Sequence, residues 1–471
     1  MERANAWKKY PEGKKRKVVF DFAEDYRKFL SACKTERECN DFFVAEAEKN
    51  GFKNLEKLIG TGKKLKAGDK VYISNHGKGL ALFVIGKEPL EKGLNILGAH
   101  IDSPRMDLKQ NPLYEDSDMA LLDTHYYGGI KKYQWVTIPL ALHGVVAKKD
   151  GTVVKVNIGD DPKDPVFGVS DLLIHLAADQ MDKKGAKVVE GEDLDVLVGS
   201  IPLEEAVKGK TKEETAKKTD LVKENILRIL KKKYDIEEED FLSAEIEVVP
   251  AGEARNYGFD ESMIMGYGHD DRVCAYPSFV ALCESKNPKR TSACLLVDKE
   301  EIGSVGATGM ESRFFENVVA ELVNLCGDYS ELTVRRCLAN SKALSSDVSA
   351  AFDPNYASAF EKKNACFFGK GLVINKYTGA RGKSGSNDAS AEYMGELRAI
   401  FEKGDVTFHT SELGKVDQGG GGTIAYILGN YGMLVIDSGV GVLSMHSPNE
   451  IISKVDLYEA YKGYTAFLKN A

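Results

Sequence analysis

Asp298–Gly309 reads DKEEIGSVGATG and follows the apolar run ACLLV at 293–297. The run has the length and composition of a buried strand. Two glutamates, Glu300 and Glu301, then stand side by side where that strand should end. A buried carboxylate is costly unless something pairs with it. On extended backbone, adjacent side chains point to opposite sides. The pair is therefore expected to divide its work, one acid ligating a cation and the other facing a substrate.

Composition bounds the rest. At 471 residues the chain can bury a large core and hold two or three domain-sized units. A net charge of −8, with both signs mixed along the chain, gives no basic field for nucleic acid. No apolar run approaches membrane-spanning length. The basic cluster at Lys14–Lys17 precedes a charged helix and not a signal-peptide core, so it reads as solvated surface. None of the eight cysteines forms a CxxC pair; they are expected to be reduced and mostly buried, in a cytoplasmic protein without a zinc-thiolate site.

Along the chain, Phe22, Tyr26, Phe29, Leu30 and Cys33 make one apolar helix face. Thr35 and Glu38 form a capping-box signature for a second helix, which Gly51 stops. Short strands follow in VYISN, ALFVIG and LNILGAH. After about Arg105 the texture turns to strands around an Asp150-Gly151 hairpin turn. A lysine- and glutamate-rich stretch from about Asp179 to Asp240 reads as solvated helix and loop, with one clear helix over Leu221–Leu230. Strand-helix alternation resumes near Ala244, with TSACLLVD and GMLVID as core strands and a last helix carrying Leu457, Tyr461, Tyr464 and Leu468. The expected fold is α/β: a sheet covered by helices on both faces, over 1–104 and 244–471, interrupted by a β-rich insertion at 105–243. The glycine run Gly419–Gly422 follows no strand that would make it a phosphate-binding turn, so it reads as a plain loop.

Five short stretches could carry chemistry. In ILGAHIDSPR, His100 and Asp102 are two apart and share a face on extended backbone, the usual pairing of a metal-bound imidazole with an orienting carboxylate. In VLSMHSPNE, His446 ends a small apolar run; alone it reads as a satisfied structural histidine. In YGHDDRVCAYPSF, Asp270 and Asp271 could simply favour a helix N-terminus. Glu300 and Glu301 are the fourth feature. Asp347, in ALSSDVSAAFDPNY, could be a turn or cap. Jointly they supply two histidines and several carboxylates at element ends, where open α/β sheets bind ligands. That inventory suits two divalent ions sharing a carboxylate.

Taken in order, GAHIDSPR, GHDDR, DKEEIGSVGATG, SSDVSAAFDPNY and SMHSPNE resemble the aspartyl-aminopeptidase family of dinuclear metallopeptidases, its bacterial branch in particular, over nearly the whole chain. The resemblance implies that His100, Asp270 and Asp347 hold one metal and Asp270, Glu301 and His446 the other, with Asp270 bridging. It implies Asp102 as the orienter of His100 and Glu300 as general base. It further implies that the insertion is a dimerisation domain within a tetrahedral dodecamer, and that His175, in LLIHLAAD, reaches a neighbouring subunit's site. The metals implied are two divalent ions, zinc first, with cobalt and manganese also suited. There are departures on the substrate side: Ala350 stands where the eukaryotic branch has a substrate-contacting histidine, and Lys376 lies one position later than the family's gating lysine. The family's acidic preference is therefore not carried over to this chain.

The expected activity is removal of N-terminal residues from short peptides, by a water activated between two cations with Glu300 moving the proton. Two rivals make different demands. A dinuclear deacylase or amidase would not require a free α-amino group, and a silent assembly protein of the same fold would bind no metal.

Overall fold

The computed structural model describes residues 4–204, 220–379 and 382–471. It divides into two compact units: Met1–Ser103 with Ala254–Met445 and Asn449–Ala471, and Pro104–Glu253 with His446–Pro448.

The first unit is built on a nine-stranded sheet. At its centre Thr291–Val297, Leu94–His100, Lys342–Ser345 and Leu434–Gly439 lie side by side and parallel. Their carboxyl ends therefore open on one edge, with Val297 opposite His100, and Gly98 and Asp437 both opposite Ser345. Leu94–His100 and Thr291–Val297 are buried at every residue. Alternation along them feeds two cores. Leu97, Ala99, Cys294 and Leu296 pack with helices that include His269–Glu284 and Lys454–Asn470. Ile96, Ala293 and Leu295 pack with Phe314–Cys326 and Glu331–Ala339. Helices on both faces explain why these strands read as continuous apolar runs. The capping box forms as the sequence predicts: Thr35 accepts from the Glu38 amide and begins the helix Glu36–Lys49. A smaller sheet in the same unit joins Met263–Gly266 to Glu450–Ser453, with Gly266 opposite Glu450.

The second unit is a six-stranded antiparallel sheet in the order Val153–Ile158, Leu140–Ala147, Ala244–Pro250, Arg105–Asp116, Met119–Tyr127, Val196–Gly199. The hairpin around Asp150 and Gly151 joins the first two strands, with Gly151 at φ 87°. The unit runs on to Glu253 and does not end at 243. Ala244–Pro250 belongs to this sheet because it pairs along its whole length with Leu140–Ala147, a long-range partnership that local texture does not display. The helix Leu221–Tyr234 forms as expected. Residues 205–219 of the lysine- and glutamate-rich stretch lie outside the described residues.

Candidate metal centre

The carboxyl edge of the central strands collects the acids. His100 is the last residue of its strand and is buried. Its Nδ1 lies 3.0 Å from the Asp102 carbonyl and 3.3 Å from Asp102 Oδ1. That leaves Nε2 facing the cluster, 3.1 Å from Asp270 Oδ1 and 3.9 Å from Glu300 Oε2. Burial alone would push this imidazole down, but Asp102 and Asp270 beside it, with Glu300 behind them, hold it well above its ordinary value.

Asp102 does more than orient His100. Its Oδ1 accepts the Glu300 amide at 3.2 Å and its Oδ2 the Glu301 amide at 3.3 Å. This corrects the expectation of extended backbone at the two glutamates. They occupy a one-turn 3₁₀ helix, Glu300–Ile302, entered through Lys299 at φ 67° and left through Gly303 at φ 94°. The turn forms because a buried carboxylate from another strand end collects both amides. It keeps both acids at the same edge of the sheet.

Asp270 and Asp271 open the element His269–Glu284, but their dihedrals are not helical, and the peptide between them is cis. The simple picture of two acids capping a helix therefore does not apply. Asp270 is held from both sides: its amide donates to Glu450 Oε2 at 3.0 Å, and Ser103 Oγ donates to its carbonyl at 2.7 Å. Asp271 Oδ2 accepts the His100 amide at 3.4 Å, while its buried Oδ1 has no hydrogen-bond partner.

Two groups of side chains offer ligand atoms within 4.8 Å of one another: His100, Asp271 and Asp347, and His100, Asp270 and Glu301. Asp271, set aside in favour of Asp270 on sequence, thus stands beside Asp347. Burial first, with neighbouring acids adding to it and His100 opposing it, holds both Asp271 and Asp347 well above the usual carboxylate range. So many acids so close together repel one another in a dry site, and a cation relieves both that repulsion and the orphaned oxygen of Asp271. The donor set, carboxylate oxygens with imidazole, is chemically suited to zinc.

The other expected residues are not in these two groups. His446 falls in the second unit, with its Nδ1 2.9 Å from the Gly129 carbonyl. His175 is also in that unit, on the exposed 3₁₀ turn Ile174–Leu176 and not on a buried helix face. Lys376 follows the strand Leu372–Asn375 and pairs with Asp388, which Lys383 also engages at 2.9 Å. Ala350 ends the short strand Ser349–Ala350. Sequence reasoning gave no role to Glu450 or Ser103, although both stand inside stretches already singled out, SMHSPNE and GAHIDSPR.

A doubly covered α/β sheet with an imidazole-carboxylate cluster at its carboxyl edge defines the class, a metal-dependent hydrolase. A scan of protein-family models matches residues 29–468 to the family described as aminopeptidase I zinc metalloprotease (M18), and the chain belongs to that family. It is 62% identical over 469 residues to a probable M18 family aminopeptidase 1 of Clostridium acetobutylicum, covering 100% of this chain and 98% of that one. The crystal structure of an M18 aminopeptidase from Thermotoga maritima matches with a TM-score of 0.91 at 43% identity, covering 100% of both chains. A Saccharomyces cerevisiae mApe1 structure, described as a dodecamer, shares the fold with a TM-score of 0.75 at 21% identity, covering 95% of this chain and 96% of that one. The protein is a metal-dependent aminopeptidase. No described helix is long and apolar enough to cross a membrane.

Proposed function

We propose that this aminopeptidase works with two divalent ions and Glu300 as its general base. His100, Asp270, Asp271, Glu301 and Asp347 would hold the ions, and the resemblance assigns Asp270 as the shared ligand. The observation that carries this reading is the pair of donor groups within 4.8 Å that both include His100, with Glu300 Oε2 3.9 Å from the same Nε2. His446 completes the second set; the basis for including it is the SMHSPNE stretch.

When bound, the ions supply Lewis acidity, lowering the pKa of water and polarising a carbonyl. The chain's own groups do the rest. Asp102 fixes the His100 ring through Nδ1 and fixes the Glu300 turn through its amides. Glu300 takes the proton from the attacking water and returns it to the leaving amine. The products are a free amino acid and a shortened peptide.

Glu300→Gln keeps the shape and removes the base. Turnover should fall by about 10²–10⁴-fold, with zinc content by metal analysis unchanged. Full activity in this variant would overturn the assignment. Acetylated peptides should be inert, whereas a deacylase would accept them.

The assembly belongs to the same proposal: a homo-oligomer joined through the insertion, in the form of a tetrahedral dodecamer built from dimers and open to short peptides. Supporting it, the second unit exposes Leu172, Leu173, Ile174, Leu176 and Met181, each at least half exposed. His175, in the middle of that segment, is the candidate to reach a neighbouring copy's site. A cytoplasmic location is supported by eight cysteines that are all free thiols, mostly buried.

A further inference from the structure

The loop that carries Glu300 and Glu301 is closed by contacts that do not involve the metal donors. Asp298, 2% exposed, accepts the Lys299 amide on Oδ1 at 2.8 Å and the Thr308 hydroxyl on Oδ2 at 2.6 Å. Asp298 and Gly309 also meet in a parallel bridge, so the two ends of the loop lie together. Within it the Ser304 amide donates to the Lys299 carbonyl at 2.7 Å. A Cβ at Gly309 would sit 2.1 Å from the Ser304 carbonyl oxygen, so only glycine lets the loop fold onto its own base. Asn75 Nδ2 ties the far end, donating to the Ala307 carbonyl at 3.0 Å.

Glu300 is thus held between two anchors. On one side Asp102 grips its amide and that of Glu301. On the other, Asp298 grips the Lys299 amide and, through Thr308, the returning end of the loop. The two anchors grip neighbouring amides, so loss of one leaves the turn free to rotate about the other. Thr308 is the only hydrogen-bond donor to Asp298 Oδ2 among the described residues, and its loss leaves a buried carboxylate oxygen unsatisfied.

We propose that Asp298 and Thr308 are positioning residues, whose clasp sets the orientation of the Glu300 carboxylate. Neither touches substrate. The proposal rests on the reading of Glu300 as general base. Shifts of an ångström in a reacting group cost on the order of a hundredfold in rate, so a clasp this close to the base acts on turnover more than on binding.

The test compares Thr308→Val, which keeps the shape and removes the hydroxyl, with Thr308→Ser, which restores the hydroxyl. In the zinc-loaded enzyme, T308V should lose roughly ten- to a hundredfold in kcat with KM nearly unchanged. The limb of the pH profile that reports the base should also move, and a chelator should strip zinc faster because Glu301 rides on the same turn. T308S should restore all three. T308V indistinguishable from the parent, or T308S as impaired as T308V with both folded by circular dichroism, overturns the clasp. Should T308V fail to fold, T308A is read against T308S in the same way. The two proposals fail separately: an active E300Q removes the base, whereas an inactive E300Q with a fully active T308V removes only the clasp.

Discussion

The two large sheets of this protein bury their strands in opposite ways. In the first unit Leu94–His100 and Thr291–Val297 are buried at every position, between two cores. In the second unit Val153–Ile158 and Met119–Tyr127 alternate between buried and exposed residues. Parallel central strands need covering on both faces, while an antiparallel sheet can leave one face to water. The difference sets what each unit can carry. The first has enough apolar burial to keep a knot of acids out of water at its strand ends. The second buries a charge only where it is paired, as Arg105 is with Glu247 at 3.0 Å, and leaves large apolar side chains exposed around Leu172–Leu176. The acid cluster belongs to the first unit, and the exposed apolar segment belongs to the second.

If that division is right, each half can be broken without the other. The largest effect should come from Glu301→Ala or from a chelator: activity falls to background, and zinc restores it to the chelated parent but not to the variant. Changing Leu172, Leu173, Ile174 and Leu176 together to Ser should shift the protein to smaller species in analytical ultracentrifugation while each chain still binds zinc. Unchanged mass would detach the apolar segment from assembly. The smallest effect is a slope. Asp437 is buried on a central strand, and burial first, then the charge of Glu300 against the opposing Thr423 hydroxyl, leaves it pushed up to about 7. The folded state then keeps a proton that the unfolded chain releases near 3.9. Its contribution to stability is fully present below about pH 4 and is lost as pH rises to about 7. Asp437→Asn should flatten that part of the Tm-against-pH curve; a parallel curve would show that Asp437 titrates normally.

Much of the site was legible because its residues stand at strand ends in short motifs. The burial cost singled out Glu300 and Glu301, the spacing of two singled out His100 and Asp102, and Asp347 gained its role only from the resemblance. The choice of Asp270 over Asp271 rested on the resemblance alone, and the structure brings Asp271 into a donor group as well. Both precede one apolar helix, and what separates them is a contact with the His100 amide 171 residues away and a contact with Glu450 180 residues away. The turn at Glu300 was misread as extended for the same reason: the carboxylate that bends it lies 198 residues earlier. The strand Ala244–Pro250 was placed in the wrong unit because its pairing partners, not its composition, decide its sheet.

By itself the sequence determined what depends on neighbours along the chain: the capping box at Thr35, the period of each strand, the hairpin at Gly151 and the inventory of acids and imidazoles. Tertiary structure decided which of those acids share a site, how the Glu300 turn is bent and where the second unit ends. Local propensities act over a few residues and are written in consecutive letters. A buried carboxylate chooses its partners by distance in the folded chain, and those distances exist only once the parallel strands have lined up their ends.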